Sequence, residues 1–401
     1  MKNSRSHSSR TGLALASLIA IGASAQAADR PTLKDAYKDY FLVGVAINRT
    51  ISTGTAVRAD NVDRTLEQVR QDTALVLEQF NQITAENDHK WALIHPRPGP
   101  DGYDFGPADA VVEFGLRHNM YIVGHTLVWH SQTPSWVFAG TNPPPAGAGG
   151  GRGRFGYSGP RASREELLER MREHIHTVVG RYKGKIKVWD VVNEAIADGG
   201  TNILRNSLWY EIIGPDFIAK AFQYAHEADP DAILRYNDYG LENPSKRRKL
   251  ITLIKQLQEQ NVPVHAIGSQ AHINTSTTFE TMDRTLTELA TLGLPIHITE
   301  LDLNTAAAGQ RGTGADISGN ASATEGGLVD DALRRQAEAY AGVFRAFIKH
   351  RDSVKLVTFW GANDGVSWRA RGRPLLFDEN NQPKPAFDAV INVAKEARSG
   401  Q

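Results

Sequence analysis

The stretch Val188-Trp189-Asp190-Val191-Val192-Asn193-Glu194 is the key to how this chain folds. It is a short, nearly continuous apolar run without clean alternation, the pattern of a parallel strand covered on both faces. It closes on an amide and a carboxylate. Seven comparable runs flank it, at residues 43–48, 82–87 and 121–129 before it, and at 233–239, 266–273, 296–303 and 356–364 after it. Between them lie stretches of helical period. Residues 65–80 place Leu66, Val69, Thr73, Leu77 and Phe80 on one face. Ser163-Arg164-Glu165-Glu166 is a capping box, and Leu167, Met171, Ile175, Val178 and Tyr182 follow it at helical spacing. Residues 248–260 carry Leu250, Ile251, Ile254 and Leu257, and 330–350 carry Leu333, Ala337, Tyr340, Phe344 and Phe347. Asp229-Pro230 and Gly293-Leu294-Pro295 read as helix stops. Strand then helix, eight times over, predicts an α/β fold of the (β/α)8 TIM-barrel type in a single catalytic domain. Periodicity alone leaves a doubly wound open sheet as the alternative.

Length and composition agree with one large domain. The chain has 401 residues, 41% of them hydrophobic, with seven Trp and 14 Phe to fill a core. Lys and Arg together number 45, as do Asp and Glu, so the balance gives no reason to expect nucleic acid or an anionic membrane as partner. No cysteine is present, which excludes disulfides, thiolate metal sites and cysteine nucleophiles. The N-terminus carries Lys2, Arg5 and Arg10, an apolar run over 12–23 and the small-x-small pattern Ala25-Gln26-Ala27. Residues 1–28 thus read as a signal peptide, and a secreted or periplasmic protein is expected. The run falls short of the roughly 20 residues that span a bilayer. The catalytic domain should occupy 29–401. Two Gly-rich insertions, 140–161 and 305–327, follow the third and seventh strands and are expected as loops on the catalytic face.

Chemistry concentrates at the carboxyl ends of the strands, where barrel enzymes place it. Glu194 ends the fourth strand and Glu300, in Ile298-Thr299-Glu300-Leu301-Asp302, ends the seventh. Two carboxylates facing one another across a barrel mouth suit glycoside hydrolysis, in which one protonates the leaving oxygen while the other attacks the sugar or activates water. Trp129, Trp360 and Trp368 are flat apolar groups at strand ends or in the last loop, suited to the C–H faces of sugars. Other motifs carry no chemistry. Gly151-Arg152-Gly153-Arg154-Phe155-Gly156 matches a dinucleotide fingerprint in letters but follows a Pro-rich loop instead of a strand. His174 and His176 lie two apart on a helix and do not share a face. No metal and no cofactor is expected.

Six motifs in order resemble the endo-β-1,4-xylanases of glycoside hydrolase family 10. They are Glu86-Asn87-Asp88-His89-Lys90-Trp91, Gly124-His125-Thr126-Leu127-Val128-Trp129-His130, Trp189 to Glu194, Gly268-Ser269-Gln270-Ala271-His272, Ile298 to Asp302 and Thr358-Phe359-Trp360-Gly361. The resemblance runs from about Lys38 to Lys395. It implies retaining endo-hydrolysis of xylan, with Glu194 as acid/base and Glu300 as nucleophile, their carboxyls about 5–5.5 Å apart. It implies substrate contacts from Glu86, Asn87, Lys90, His125, Trp129, Gln132, Asn193, Tyr239, Gln270, His272, Trp360 and Trp368. His272 should orient Glu300 as a neutral imidazole, with Asp302 fixing its tautomer. Xylan and xylo-oligosaccharides are then the partners of a monomeric chain. A retaining β-1,4-glucanase on the same barrel, or a xylan-binding protein without turnover, are the other readings. His89 departs from the family, which usually has Met or another apolar residue there, and this leaves substrate contact beside Lys90 in question.

Overall fold

Eight parallel staves close on themselves in the computed structural model, which describes residues 31–56, 63–140, 159–305 and 327–400. The strands are β1 Leu42–Ile47, β2 Gln82–Ala85, β3 Tyr121–Trp129, β4 Val188–Asn193, β5 Ile233–Asp238, β6 Ala266–Ser269, β7 His272–Asn274, β8 Ile296–Asn304 and β9 Val354–Phe359. Each pairs in parallel with its neighbour, and the pairings of β6 with β8 and of β9 with β1 complete the ring. The short β7 continues the stave of β6 along β8. The chain is therefore a closed (β/α)8 barrel. The signal-like segment 1–28, nearly all of both Gly-rich insertions and the fingerprint at 151–156 lie outside the described residues.

Helices cover the outside because each loses its apolar stripe against the strands. The helix Arg164–Arg181 opens on the expected capping box, Ser163 with Glu166, and buries Leu167, Met171, Ile175 and Val178. Leu66–Gln79 is likewise boxed by Thr65 and Gln68. Its buried face differs from the one expected: Val69, Asp72, Val76 and Gln79 face inward, while Leu66 is 44% exposed. Asp72 is tolerated there because Arg64 donates to both its oxygens. Pro244–Glu259 begins four residues before the apolar pattern does, since Asn243 caps it and Pro244 takes the first helical position. Across the remaining staves, Phe217–Ala228, Phe279–Ala290, Gly327–Lys349 and Pro385–Ser399 pack in the same way. Among the described residues no helix is long and apolar enough to cross a membrane.

Several strands also depart from a simple pattern toward the mouth. The sixth expected strand is broken by Gln270 and Ala271, the latter in the left-handed region at φ 55°. Across the break the register on β8 slips by one residue, from Ser269 opposite Ile298 to His272 opposite Asp302. Similar slips occur after His125, Asp190 and Ile298. Bulges of this kind re-aim side chains at barrel rims. The eighth strand stops at Phe359, not 364, because Gly361 at φ 121° turns the chain across the mouth.

Candidate active site

Glu194 and Glu300 meet at this mouth, buried to 5% exposure each. Glu194 stands just past β4 in the left-handed region, φ 59°. One carboxylate oxygen accepts from the Trp129 indole at 2.9 Å and the other from Gln270 at 3.1 Å. Both donors are neutral, so neither holds a full charge on the carboxylate. Burial raises its proton affinity, and the anions Asp238 and Glu300 raise it further, so Glu194 sits above the usual carboxylate range.

Glu300 lies within β8 and has different company. Asn237 donates to one oxygen at 2.8 Å, and His272 Nε2 is 3.2 Å from the other. His125 Nδ1 lies 4.0 Å from the first. Burial would raise its proton affinity, but His272 and His125 outweigh it, and Glu300 falls below the usual range. The expectation of a neutral His272 is corrected here. Its ring lies between two carboxylates, with Nδ1 3.0 Å from Asp302, and although burial opposes charge these anions lift it to about 9. His272 is an imidazolium at neutral pH. Asp302, buried and itself bound by Arg369 and by the Trp368 indole at 2.9 Å, locks that ring instead of choosing a tautomer.

A chain of amides joins the two glutamates. Gln270 bridges Glu194 to the Asn193 oxygen at 3.2 Å, and Asn237 donates from there to Glu300 at distances of 2.9 and 2.8 Å. Asn237 is fully buried and its own oxygen accepts from Thr299 at 2.7 Å. The sequence reading passes over it, although it stands in the expected fifth strand. Gly268 was the available signal. A methyl there would lie 2.4 Å from the Asn237 oxygen, so only glycine lets this amide reach both partners.

The other expected residues divide by what they touch. On one side of the mouth Asn87 accepts from Lys90 at 2.7 Å and from the exposed Gln132 at 3.4 Å, and Lys90 Nζ lies 5.1 Å from the Trp129 ring centre. Glu86 is buried at the end of β2, its N–H on Ile47. His125 is held by Asp190 at 2.9 Å, and Arg235 anchors Asp190 in turn at 2.6 and 2.9 Å. Burial would raise Asp190, yet Arg235 and His125 hold it at about 2. Trp360 meets His125 edge-on at 5.2 Å, and Trp368 lies 5.0 Å from His272. Tyr239 is placed differently from a free sugar-binding hydroxyl. Its OH donates to Asp198 and accepts from Arg205 at 2.8 Å, while Lys246 sits 3.2 Å from its ring centre. His89 does not reach the mouth at all. It is fully buried between Tyr182 and Trp189, each 5.8 Å away. Burial and then His125 lower it to about 4, so it is neutral.

A closed barrel with two buried carboxylates of opposed proton affinity at its carboxyl mouth defines a class, the carboxylate-pair glycosidases. The profile described as Glycosyl hydrolase family 10 matches residues 32–393, and the chain belongs to that family. It is 38% identical to a Beta-1,4-xylanase of Dictyoglomus thermophilum, over 90% of each chain. It is 39% identical to an Endo-1,4-beta-xylanase of Geobacillus stearothermophilus, over 90% of this chain and 98% of that one. Among solved structures, the intracellular xylanase of Thermoanaerobacterium saccharolyticum, as a mutant with xylotetraose, superposes with a TM-score of 0.74 at 37% identity. That match covers 90% of this chain and 98% of the other.

Proposed function

We propose that this chain hydrolyses internal β-1,4-xylosidic bonds of xylan with retention, Glu300 acting as nucleophile and Glu194 as acid/base. The observation that carries the reading is the opposed setting of the two carboxylates. Glu300, kept ionised beside the His272 imidazolium, suits attack on the sugar carbon. Glu194, whose proton affinity burial and nearby anions raise, suits delivery of a proton to the departing sugar oxygen. Glu194 then takes a proton from the water that opens the glycosyl-enzyme. The Asn193 oxygen is committed to Gln270 and Asn237, which leaves its NH2 to donate to the 2-hydroxyl of the reacting sugar. Asn87, Lys90, Gln132 and His125 supply hydroxyl contacts, and Trp360 and Trp368 supply apolar cover. Xylan as substrate rests on the names of the similar proteins. The basic start, short apolar run and Ala25-Gln26-Ala27 support export with a mature chain beginning near Ala28 or Asp29.

The test is reducing-sugar release from purified xylan and, in parallel, from a soluble cellulose derivative, with Glu300→Ala as control. Release from xylan well above cellulose is expected, falling by several orders of magnitude in the variant. Activity on cellulose alone would keep the mechanism and overturn the substrate. Tight xylan binding without turnover in the unmutated chain would overturn both.

A further inference from the structure

We propose that Asp238 is a positioning residue for Glu194. It fastens the strained turn on which Glu194 stands and puts a buried carboxylate behind that turn. The inference rests on Glu194 being the acid/base.

The turn needs fastening because a glutamate at φ 59° sits in the left-handed region that L-residues rarely adopt. The chain around it is tied by several hydrogen bonds. The Glu194 N–H donates to the Asn237 carbonyl at 2.9 Å, and the Glu194 carbonyl accepts from Arg205 at 3.0 Å. The Ala195 N–H donates to the Tyr236 hydroxyl at 2.9 Å and the Ile196 N–H to Asp238 at 3.2 Å. The Tyr236 hydroxyl in turn donates to the same Asp238 oxygen at 2.8 Å. The other oxygen of Asp238 accepts from the Tyr239 N–H at 2.9 Å and from Lys246 at 3.0 Å. Asp238 is fully buried and serves the turn after Glu194 with both a hydrogen bond and a charge.

Several other groups face Glu194. Glu300 faces it from β8, while Gln270 and Trp129 donate to it without charge. His130 lies 4.0 Å away and is neutral, since burial and Arg205 hold it at about 3. Arg205, Asp198, Tyr239 and Lys246 form an interlocked cluster behind the turn. Within this set the cations are paired to Asp198 and Asp238. Asp238 and Glu300 both raise the proton affinity of Glu194.

The experiment is the pH profile of kcat/KM on xylan for the wild type, Glu194→Ala and Asp238→Asn. Thermal melts check folding, and Asp238→Ser, equally neutral and smaller, serves if the Asn variant does not fold. In the wild type the alkaline limb reports loss of the acid proton, and Glu194→Ala should abolish it. Should the limb persist in Glu194→Ala, Glu194 is not the acid, and the proposal falls with that assignment. In Asp238→Asn the limb should move to lower pH by about one unit, because the carboxylate that disfavours ionisation of Glu194 is gone. A dinitrophenyl xylobioside, whose leaving group needs no proton, should lose less activity than xylan in this variant. A folded variant with an unmoved limb, or with equal losses on both substrates, overturns the proposal and leaves Asp238 a purely structural residue.

Discussion

Glu194 and Glu300 carry the same side chain at the same burial, and only their neighbours separate them. One has two neutral donors and an anion behind it; the other has an imidazolium and an amide. Asn237 is the residue through which the two settings touch. Removing its amide in Asn237→Ala takes a donor from Glu300 and one from Asn193 at once. Losing one preorganised donor at a reacting centre typically costs about 10²-fold or more in kcat. We expect a fall of that order with KM little changed, measured by initial rates on xylo-oligosaccharides; a loss confined to KM would show that Asn237 serves binding alone. The letters at 237 themselves carry no sign of this. Asn237 reads as one more polar residue near a strand end, and its importance lies in two partners 44 and 63 residues away.

At the scale of elements, the glycine in β6 and the break after it set the geometry of the amide chain. Gly268 stands beside Asn237 and Thr299, and a side chain at 268 would press on both, at 2.4 and 3.0 Å. Gly268→Ala should therefore copy part of the Asn237→Ala defect without touching any group that contacts substrate. Kinetics of the single and double variants would read this, since residues acting through one contact are not additive. Full additivity would show that glycine is needed there for another reason. The helices were more legible than the strand ends. Apolar period and capping residues located Arg164–Arg181 to within one residue, because a helix signals its start in its own first turn. The inward face of Leu66–Gln79 differs from the apolar pattern because Asp72 and Gln79 are buried by distant partners, Asn363 and Asn381 for the first and the Leu33 N–H for the second, which no apolar pattern registers.

For the whole molecule, stability in acid follows from histidines held neutral in the core. His89 has a folded value of about 4 against about 6.5 when unfolded. A depressed histidine stabilises the fold fully above the unfolded value, and that contribution is lost as pH falls from about 6.5 through 4, where only the unfolded chain takes up the proton. His89→Met removes this liability without altering the mouth, since the ring faces Tyr182 and Trp189. Melting temperatures across that pH range should fall less in the variant, by up to about 3 kcal/mol of retained stability, with unchanged activity at neutral pH. Parallel acid losses in both proteins would place the sensitivity elsewhere, for instance at His174, which burial also depresses.

From the sequence by itself came the eight staves in order and the two glutamates at the ends of two of them, while closure into a barrel instead of an open sheet came from the tertiary structure. Those features rest on local signals: apolar runs of strand length, helix caps, and side chains that follow strands directly. It also placed Asn193, Gln270, His272 and Asp302 at the mouth. Only the tertiary structure decided that His272 is charged, that His89 faces the core, that Tyr239 is tied to Asp198 and Arg205, and that Asn237 and Asp238 stand behind the two glutamates. Each depends on which charges and dipoles meet across the barrel once water is excluded. Proton affinity is set by that company, and residues far apart in sequence acquire it only when the ring closes.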